Sequence, residues 1–353
     1  MEKKLTFDFA TMQKIIQKVA QIDQFKGQWQ QLDRVENRYL KELRKIATVQ
    51  SIGSSTRIEG NTLTDAEIAT LIKNLKITKL QTRDEQEVAG YYDTLELLIE
   101  NFENMPLNSS TLHTLHHRLL KYSDKDSRHR GKFKELTNKV VANYPDGTTR
   151  VIFNTTEPFL TEKETTELLD WTNEMTEKQA IHPLIAIGTF IYEFLSIHPY
   201  QDGNGRLSRL LTNLLLLKSD YKFVLYVSLE QIIETKKAAY YQALMEGQKD
   251  QYEAAEKIDK WLLFFLDALL ELIEKLKHKM LEYRKLNTYL TTRQRNVLTV
   301  ITENQPVMMR DIFQKLPEYT QATIRQDVLY LIASYKVEKI GLGKSTIYIL
   351  QTS

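Results

Sequence analysis

No cysteine occurs among the 353 residues. That absence removes disulfides, thiolate zinc sites, cysteine-ligated iron–sulfur clusters and a cysteine nucleophile, and it fits a reducing compartment. Helix breakers are scarce too. Only 12 glycines and 7 prolines interrupt long stretches of helix formers, which predicts a mainly α protein. Neither sign of charge dominates: 48 Lys and Arg stand against 46 Asp and Glu, for a net charge of +2. Such a balance argues against a chain that coats nucleic acid or an anionic membrane. Long apolar runs are missing. The longest, Trp261 to Leu270, is broken by Asp267 and falls far short of the ~20 residues that span a bilayer. The opening MEKKLTFDFATMQK lacks a signal-peptide core, so the expected location is cytoplasmic.

The length predicts several domains. Residues 1–105 read as a helical region, with an amphipathic segment at Gln13 to Asp23, a long helix from Leu32 to Glu59 stopped by Gly60, a helix start at Thr64-Asp65-Ala66-Glu67, and a helix over Glu85 to Phe102. Residues 106–245 read as a central domain. It holds helices at Ser109–Tyr122 and Glu162–Met175, and a hairpin over residues 138–153 turning at Asn143-Tyr144-Pro145-Asp146-Gly147. Ile181 to Ile197 is apolar nearly all round, which marks a buried central helix. Leu207, Leu210, Leu211, Leu214 and Leu215 then give a second core helix by their i, i+3, i+4 spacing. Residues 246–290 read as a helical connector within a helical stretch at 230–285. Residues 291–353 read as helices at 291–303, 307–315 and 320–334, then β-prone Val337–Ile340 and Thr346–Leu350 around Gly341-Leu342-Gly343-Lys344. Three helices and a hairpin are the order of a winged helix-turn-helix.

The two buried helices are joined by His198-Pro199-Tyr200-Gln201-Asp202-Gly203-Asn204-Gly205-Arg206, followed by Leu207-Ser208-Arg209. Gly203 and Gly205 let a ligand approach the backbone. The free N–H groups of the helix starting near Asn204 make an anion nest. Arg206 and Arg209 share a helix face, and two guanidinium forks suit a polyphosphate. Asp202 is a hard oxygen ligand fit for Mg²⁺. His198 alone in the loop titrates near neutral pH and can take a proton from a hydroxyl. Each residue singly is ordinary, since a His before Pro caps helices and Gly-Asn-Gly turns are common. The full set between two buried helices is not.

His198 to Arg209 resembles the Fic signature, His-Pro-Phe-x-(Asp/Glu)-Gly-Asn-Gly-Arg-x-x-Arg, with Tyr200 in place of the usual Phe. The Tyr hydroxyl would need a partner or water. Weaker similarity covers most of the chain, including Glu85 to Leu95 and the Tyr240-Tyr241 region. The resemblance implies a helical bundle with a hairpin flap that docks a target segment by strand addition. It implies a protein adenylyltransferase that moves AMP from ATP to a Ser, Thr or Tyr hydroxyl of a target protein or of itself. His198 would be the base and Asp202 the Mg²⁺ ligand. Gly203, Asn204, Gly205, Arg206 and Arg209 would hold the phosphates, with Tyr240 and Tyr241 near the adenine; core aromatics on a helix is the other reading of that pair.

Ser55-Thr56-Arg57-Ile58-Glu59-Gly60 reads by composition as a helix end capped by Gly60, with Glu59 slightly unfavourable there. It also resembles the Fic inhibitory motif, (Ser/Thr)-x-x-x-Glu-(Gly/Asn). The resemblance implies that Glu59 pairs with Arg209 and takes the place of the γ-phosphate, as a brake in the same chain. In some relatives this Glu also helps remove AMP.

His113, His116 and His117 have a spacing that can bind metal, but no acid on the same helix completes the set. One buried and two exposed histidines is the expectation. Residues 291–353 carry eight Lys and Arg and five Asp and Glu. Gln321, Thr323 and Arg325 on a recognition helix, and Lys344 on the wing, give DNA as a possible partner, or protein docking and a homodimer. The alternative function is a DNA-binding regulator whose Fic region senses nucleotide.

Overall fold

The computed structural model describes residues 2–32, 38–75, 79–143, 149–253, 256–288, 290–333, 336–341 and 346–350. The chain divides into two compact units, Met1–Leu276 and Lys277–Ser353.

The first unit is a helical assembly. Its N-terminal part comprises α1 (Phe9–Leu32), α2 (Arg38–Ile58), α3 (Asp65–Asn74) and α4 (Arg83–Asn101). Next come α5 (Ser109–Leu119), strands β1 (Lys139–Asn143) and β2 (Thr149–Asn154), and α6 (Pro158–Glu177). Then follow α7 (Pro183–Ile197), α8 (Asn204–Lys218), α9 (Leu229–Thr235), α10 (Lys237–Gln248) and α11 (Asp259–Thr288), the last of which spans the division between units.

Local chemistry sets several of these starts. Thr64 and Glu67 form a capping box on α3, and Thr82 and Glu85 form another on α4. α6 starts at Pro158, ahead of the expected Glu162, because a proline suits the first helical position. α1 is longer than the amphipathic stretch predicted, reaching Leu32 through a tolerated Gly27. The long helix ends at Ile58, with Gly60 at φ +104° behind it, as the sequence implies. Its expected start at Leu32 is not met: Leu32 ends α1 and α2 begins at Arg38, with residues 33–37 outside the described residues. The stretch 230–285 is occupied by three helices, α9, α10 and α11, with Lys236 separating the first two.

α7 and α8 form the centre. Residues of α7 from Leu184 to Ile197 are buried on every side except at Ile185, and Leu207, Leu210, Leu211 and Leu214 of α8 are fully buried. Each such leucine contributes about 1.5–3 kcal/mol. Trp261 of α11 donates its indole N–H to the Gly188 carbonyl at 2.7 Å, anchoring α11 on α7. β1 and β2 pair antiparallel, with the register shifting between Val140 and Val141. The predicted Asp-Gly turn lies largely outside the described residues, which omit 144–148.

The second unit contains α12 (Thr292–Asn304), β3 (Val307–Met308), α13 (Met309–Lys315), α14 (Gln321–Ala333), β4 (Val337–Ile340) and β5 (Ile347–Leu350). The segment expected as one helix over 307–315 begins instead as a strand. Val307 and Met308 pair with Tyr348 and Ile347, giving an antiparallel sheet in the order β3-β5-β4. Val297, Ile301, Ile312, Ile324, Val328 and Leu331 form its core. Gln321 and Arg325 are exposed on α14 and Thr323 is half-buried, while Lys344 lies outside the described residues. Among the described residues no helix is long and apolar enough to cross a membrane.

Candidate active site

α7 ends at His198 in the left-handed conformation, φ 53° and ψ 61°. That geometry is uncommon for a residue with a side chain, and it turns the chain sharply into the loop. Two bonds close the turn: the Tyr200 N–H donates to Asn204 Oδ1 at 2.9 Å, and Asn204 Nδ2 donates to the Tyr200 carbonyl at 2.7 Å. Gly203 takes φ +79° as the N-cap of α8, and no side chain caps that helix. The first-turn N–H groups of α8 therefore face the loop with a partial positive charge.

A pocket of about 260 Å³ opens there. It is lined by Glu59, Asn138, Lys139, Leu195, His198, Gln201, Asp202, Gly203, Asn204, Gly205, Arg209, Tyr240, Tyr241 and Leu244. The residues singled out from the sequence thus converge, from α2, the 198–205 loop, α8 and α10. Arg206, expected to hold phosphate, does not line the pocket. Its side chain is buried beside Asp202 at 3.3 Å and Glu87 at 3.4 Å, with Nε and Nη1 lacking hydrogen-bond partners.

Burial lowers the His198 pKa to about 4, with nearby Lys134 acting in the same direction, so the imidazole is neutral at working pH. Nδ1 lies 3.3 Å from the Leu195 carbonyl. If Nδ1 carries the proton, Nε2 is left as a free base. Burial works against the charge of Asp202, yet Arg206, the Gly203 N–H and Arg83 together hold its carboxyl below the usual range. Asp202 is a charged carboxylate on the pocket wall, which suits a divalent cation. Among the described residues no group of three or more His, Asp or Glu could hold a metal alone. A single carboxylate supplemented by phosphate oxygens and water is the pattern magnesium prefers.

Arg209 is buried. Its Nε donates to Ser55 Oγ at 2.8 Å, and its Nη2 donates to the Ser55 carbonyl at 2.8 Å and to Glu59 Oε1 at 2.7 Å. Burial opposes the Glu59 charge, but the Arg209 guanidinium more than offsets it and holds the carboxyl below its ordinary range. A Cβ on residue 205 would collide with Glu59 Oε1. The carboxylate therefore occupies the space above the glycine at the open end of α8, where an anion is expected. Tyr240 is buried at 3% exposure in an edge-to-face cluster with Tyr241, Trp261 and Phe264, so it is a core aromatic as well as a pocket wall.

Tyr200 finds its partner: its hydroxyl lies 3.1 Å from His113 Nδ1. Of the three histidines, His116 is buried, His117 exposed and His113 half-buried.

Sequence reasoning missed the clamp beneath the hairpin. Lys134 Nζ donates to Asn138 Oδ1 at 3.0 Å, Thr155 Oγ1 at 2.8 Å and the Ile197 carbonyl at 3.0 Å, and burial lowers its pKa to about 8. Asn138 Nδ2 donates to the Tyr200 carbonyl at 2.8 Å. Neither residue lies in a periodic pattern, so no sequence signal marks them. Sequence reasoning also missed Arg83 and Glu87 of α4, which pair at 2.7 Å and reach Asp202 at 3.7 Å and Arg206 at 3.4 Å respectively.

Residues 106–216 match the model of the Fic/DOC family. The chain is 28% identical over 189 residues to the protein adenylyltransferase Fic of Drosophila willistoni, an alignment covering 52% of this chain and 35% of that protein. It is 27% identical over 190 residues to the protein adenylyltransferase Fic of Aedes aegypti, covering 52% and 35%. The chain thus spans only about a third of the length of these curated relatives. Among solved structures, a Fic family protein from Desulfovibrio desulfuricans superposes with a TM-score of 0.62 at 21% identity, covering 99% of this chain and 98% of that one. Fic-1 of C. elegans gives 0.58 at 18% identity, covering 74% and 71%. These likenesses show the fold.

Proposed function

We propose that this chain is a protein adenylyltransferase that moves AMP from ATP to a protein hydroxyl and is held in check by Glu59. The observation that carries the reading is the convergence of a neutral His198, a charged Asp202, the uncapped start of α8 and the Arg209 guanidinium on one pocket.

The α-, β- and γ-phosphates lie along the first turn of α8, with Arg209 on the γ-phosphate and Arg206 reinforcing the nest from behind. Tyr240, Tyr241 and Leu244 supply the apolar wall for the base. His198 takes the proton of a target Ser, Thr or Tyr hydroxyl. The oxygen attacks the α-phosphorus, a new P–O bond forms, the α–β bridging bond breaks, and pyrophosphate leaves. Magnesium, when held by Asp202 and the phosphates, supplies charge neutralisation on the leaving group. Such transfer needs positioning and charge more than covalent help from the enzyme. The β1–β2 hairpin, tied to the loop through Lys134 and Asn138, is suited to hold the target strand.

In this reading Glu59 sits where the γ-phosphate belongs and occupies its guanidinium. The same proposal takes residues 291–353 as a winged helix-turn-helix. The element order and the β3-β5-β4 sheet support that assignment. Exposed Gln321 and Arg325 would face DNA, and a salt-dependent gel shift tests this. The test of the main proposal is incubation of the full chain with labelled ATP, Mg²⁺ and a cell lysate, followed by mass spectrometry. AMP on a hydroxyl is the expected product. Absence of any label with both the parent and the Glu59→Gly chain would refute it.

A further inference from the structure

Three parts of the 198–205 loop meet at one side chain that the proposed chemistry does not use. His116 of α5 is fully buried. Its ring stacks on Tyr200, with centroids 3.8 Å apart and planes 18° from parallel. Its Nδ1 accepts the Gly131 N–H at 2.8 Å. An acceptor at Nδ1 leaves the proton of a neutral ring on Nε2. That nitrogen faces the Asp202 carbonyl at 2.9 Å, so Nε2–H donates to it. The same nitrogen is 3.5 Å from where a Cβ on Gly203 would stand.

Packing alone does not select this residue. A phenylalanine would fill the space and stack on Tyr200, but it would leave the Gly131 N–H and the Asp202 carbonyl without their partner. Imidazole differs in carrying a donor and an acceptor on separate edges, and here both are spent on backbone groups. One of those groups belongs to the residue whose carboxylate lines the pocket. While His116 pins the Asp202 carbonyl, Oδ1 of Asp202 accepts the Gly203 N–H and lies 3.3 Å from Arg206 Nη2. The peptide between Asp202 and Gly203 is thus fixed from both ends, and the carboxylate has little freedom to turn away from the pocket.

We propose that His116 is a positioning residue for the metal site, setting the aim of the Asp202 carboxylate through the Asp202 carbonyl. The inference rests on reading the pocket as a nucleotide site with a divalent cation. Partners of this kind are typically worth 10–100-fold in metal affinity.

The test titrates Mn²⁺ into the full-length Glu59→Gly chain in the presence of ATP, followed by electron paramagnetic resonance. Metal-free ATP binding is measured alongside by calorimetry. His116→Phe keeps the stack and removes both hydrogen bonds; His116→Gln restores an N–H near the Nε2 position. The Phe variant should bind Mn²⁺ about 10–100-fold more weakly with metal-free ATP binding unchanged, and the Gln variant should recover most of the loss. A folded Phe variant with parental Mn²⁺ affinity overturns the proposal. A parent chain that binds no Mn²⁺ with ATP instead overturns the nucleotide-site reading. If the Phe variant does not fold, long-range ¹⁵N NMR of the unsubstituted His116 ring decides. Saturation with Mg²⁺ and ATP should shift the Nε2–H resonance, and an unmoved resonance counts against the proposal.

Discussion

Arg209 Nη2 donates to Glu59 Oε1 at 2.7 Å across the mouth of the pocket, linking α8 to the end of α2. The guanidinium is 4% exposed and the Glu59 side chain 33% exposed, so the cation is enclosed while its anion is reachable from solvent. An anion entering the pocket would meet Glu59 beside the same guanidinium.

Removal of that carboxylate is expected to activate. On the proposed reading two anions in one poorly hydrated site would repel, and ATP would bind displaced, with its α-phosphorus badly aimed for in-line attack. Glu59→Gly should raise AMP incorporation by about tenfold or more, since about 1.4 kcal/mol of relieved barrier is already tenfold. Glu59→Gln should raise it less, because the bulk stays. Arg209→Ala should not activate, because it also removes the γ-phosphate's partner. A side-by-side time course of the three variants checks this, and equal rates for parent and Glu59→Gly would leave the segment as a capped helix end.

His198→Ala should reduce transfer about 10²–10⁴-fold, the usual worth of a general base, while ATP binding and the circular dichroism spectrum persist. The pH profile is a sharper check. A base whose pKa is lowered to about 4 is unprotonated above that value and loses activity as the pH falls through it. The acid limb of the Glu59→Gly chain should therefore centre near or below 4, since Glu59 raises the His198 pKa. A limb centred at the unshifted 6.5 would mean the working base is not His198 in this buried setting.

Most of the loop was legible from the sequence because its chemistry is contiguous. Gly203, Asn204 and Gly205 precede a leucine pattern that fixes where α8 begins, and Arg206 and Arg209 follow by helical spacing. The buried α7 was legible from its lack of a polar face. The hairpin was visible as two β-prone runs. Lys134, Asn138 and His116 were not legible, because their roles come from the fold: they act on backbone carbonyls over 60 positions away in the chain, at Ile197, Tyr200 and Asp202. A side chain that binds a distant backbone group leaves no pattern in its own neighbourhood. The strand at Val307–Met308 was missed for a similar reason, as pairing with β5 overrides local helical spacing.

Asp202→Ala should lower Mg²⁺-dependent transfer on the order of 100-fold, given that metal stabilisation of phosphoryl charge is worth several kcal/mol. Asp202 is the loop's only carboxylate, and Arg83 Nη2 at 3.7 Å and Arg206 Nη2 at 3.3 Å would be left without it. The check is a Mg²⁺ titration of initial rates. An unchanged rate and an unchanged midpoint would assign the cation to another residue.

The final prediction concerns what keeps Glu59 in place. Arg57, two residues earlier, donates through Nε to Glu234 Oε1 at 2.8 Å and through Nη2 to Glu234 Oε2 at 3.1 Å. Its Nη1 donates to Asp65 Oδ1 at 2.9 Å and to the Leu63 carbonyl at 3.1 Å. This bidentate fork ties the end of α2 to α9 and to the start of α3, and Lys237 adds a bond to the Ile58 carbonyl at 2.7 Å. Arg57 does not line the pocket, so its loss cannot act on nucleotide directly. Arg57→Ala should let the helix end fray and weaken the Glu59–Arg209 contact without deleting it. Basal AMP transfer should then rise several-fold, short of the Glu59→Gly level. The decisive comparison is the double variant. If Arg57 works only by holding Glu59, then Arg57→Ala with Glu59→Gly should match Glu59→Gly alone, a fully non-additive cycle. Additive gains would show that Arg57 affects transfer by another route, and a basal rate unchanged by Arg57→Ala would show that α2 needs no such tie.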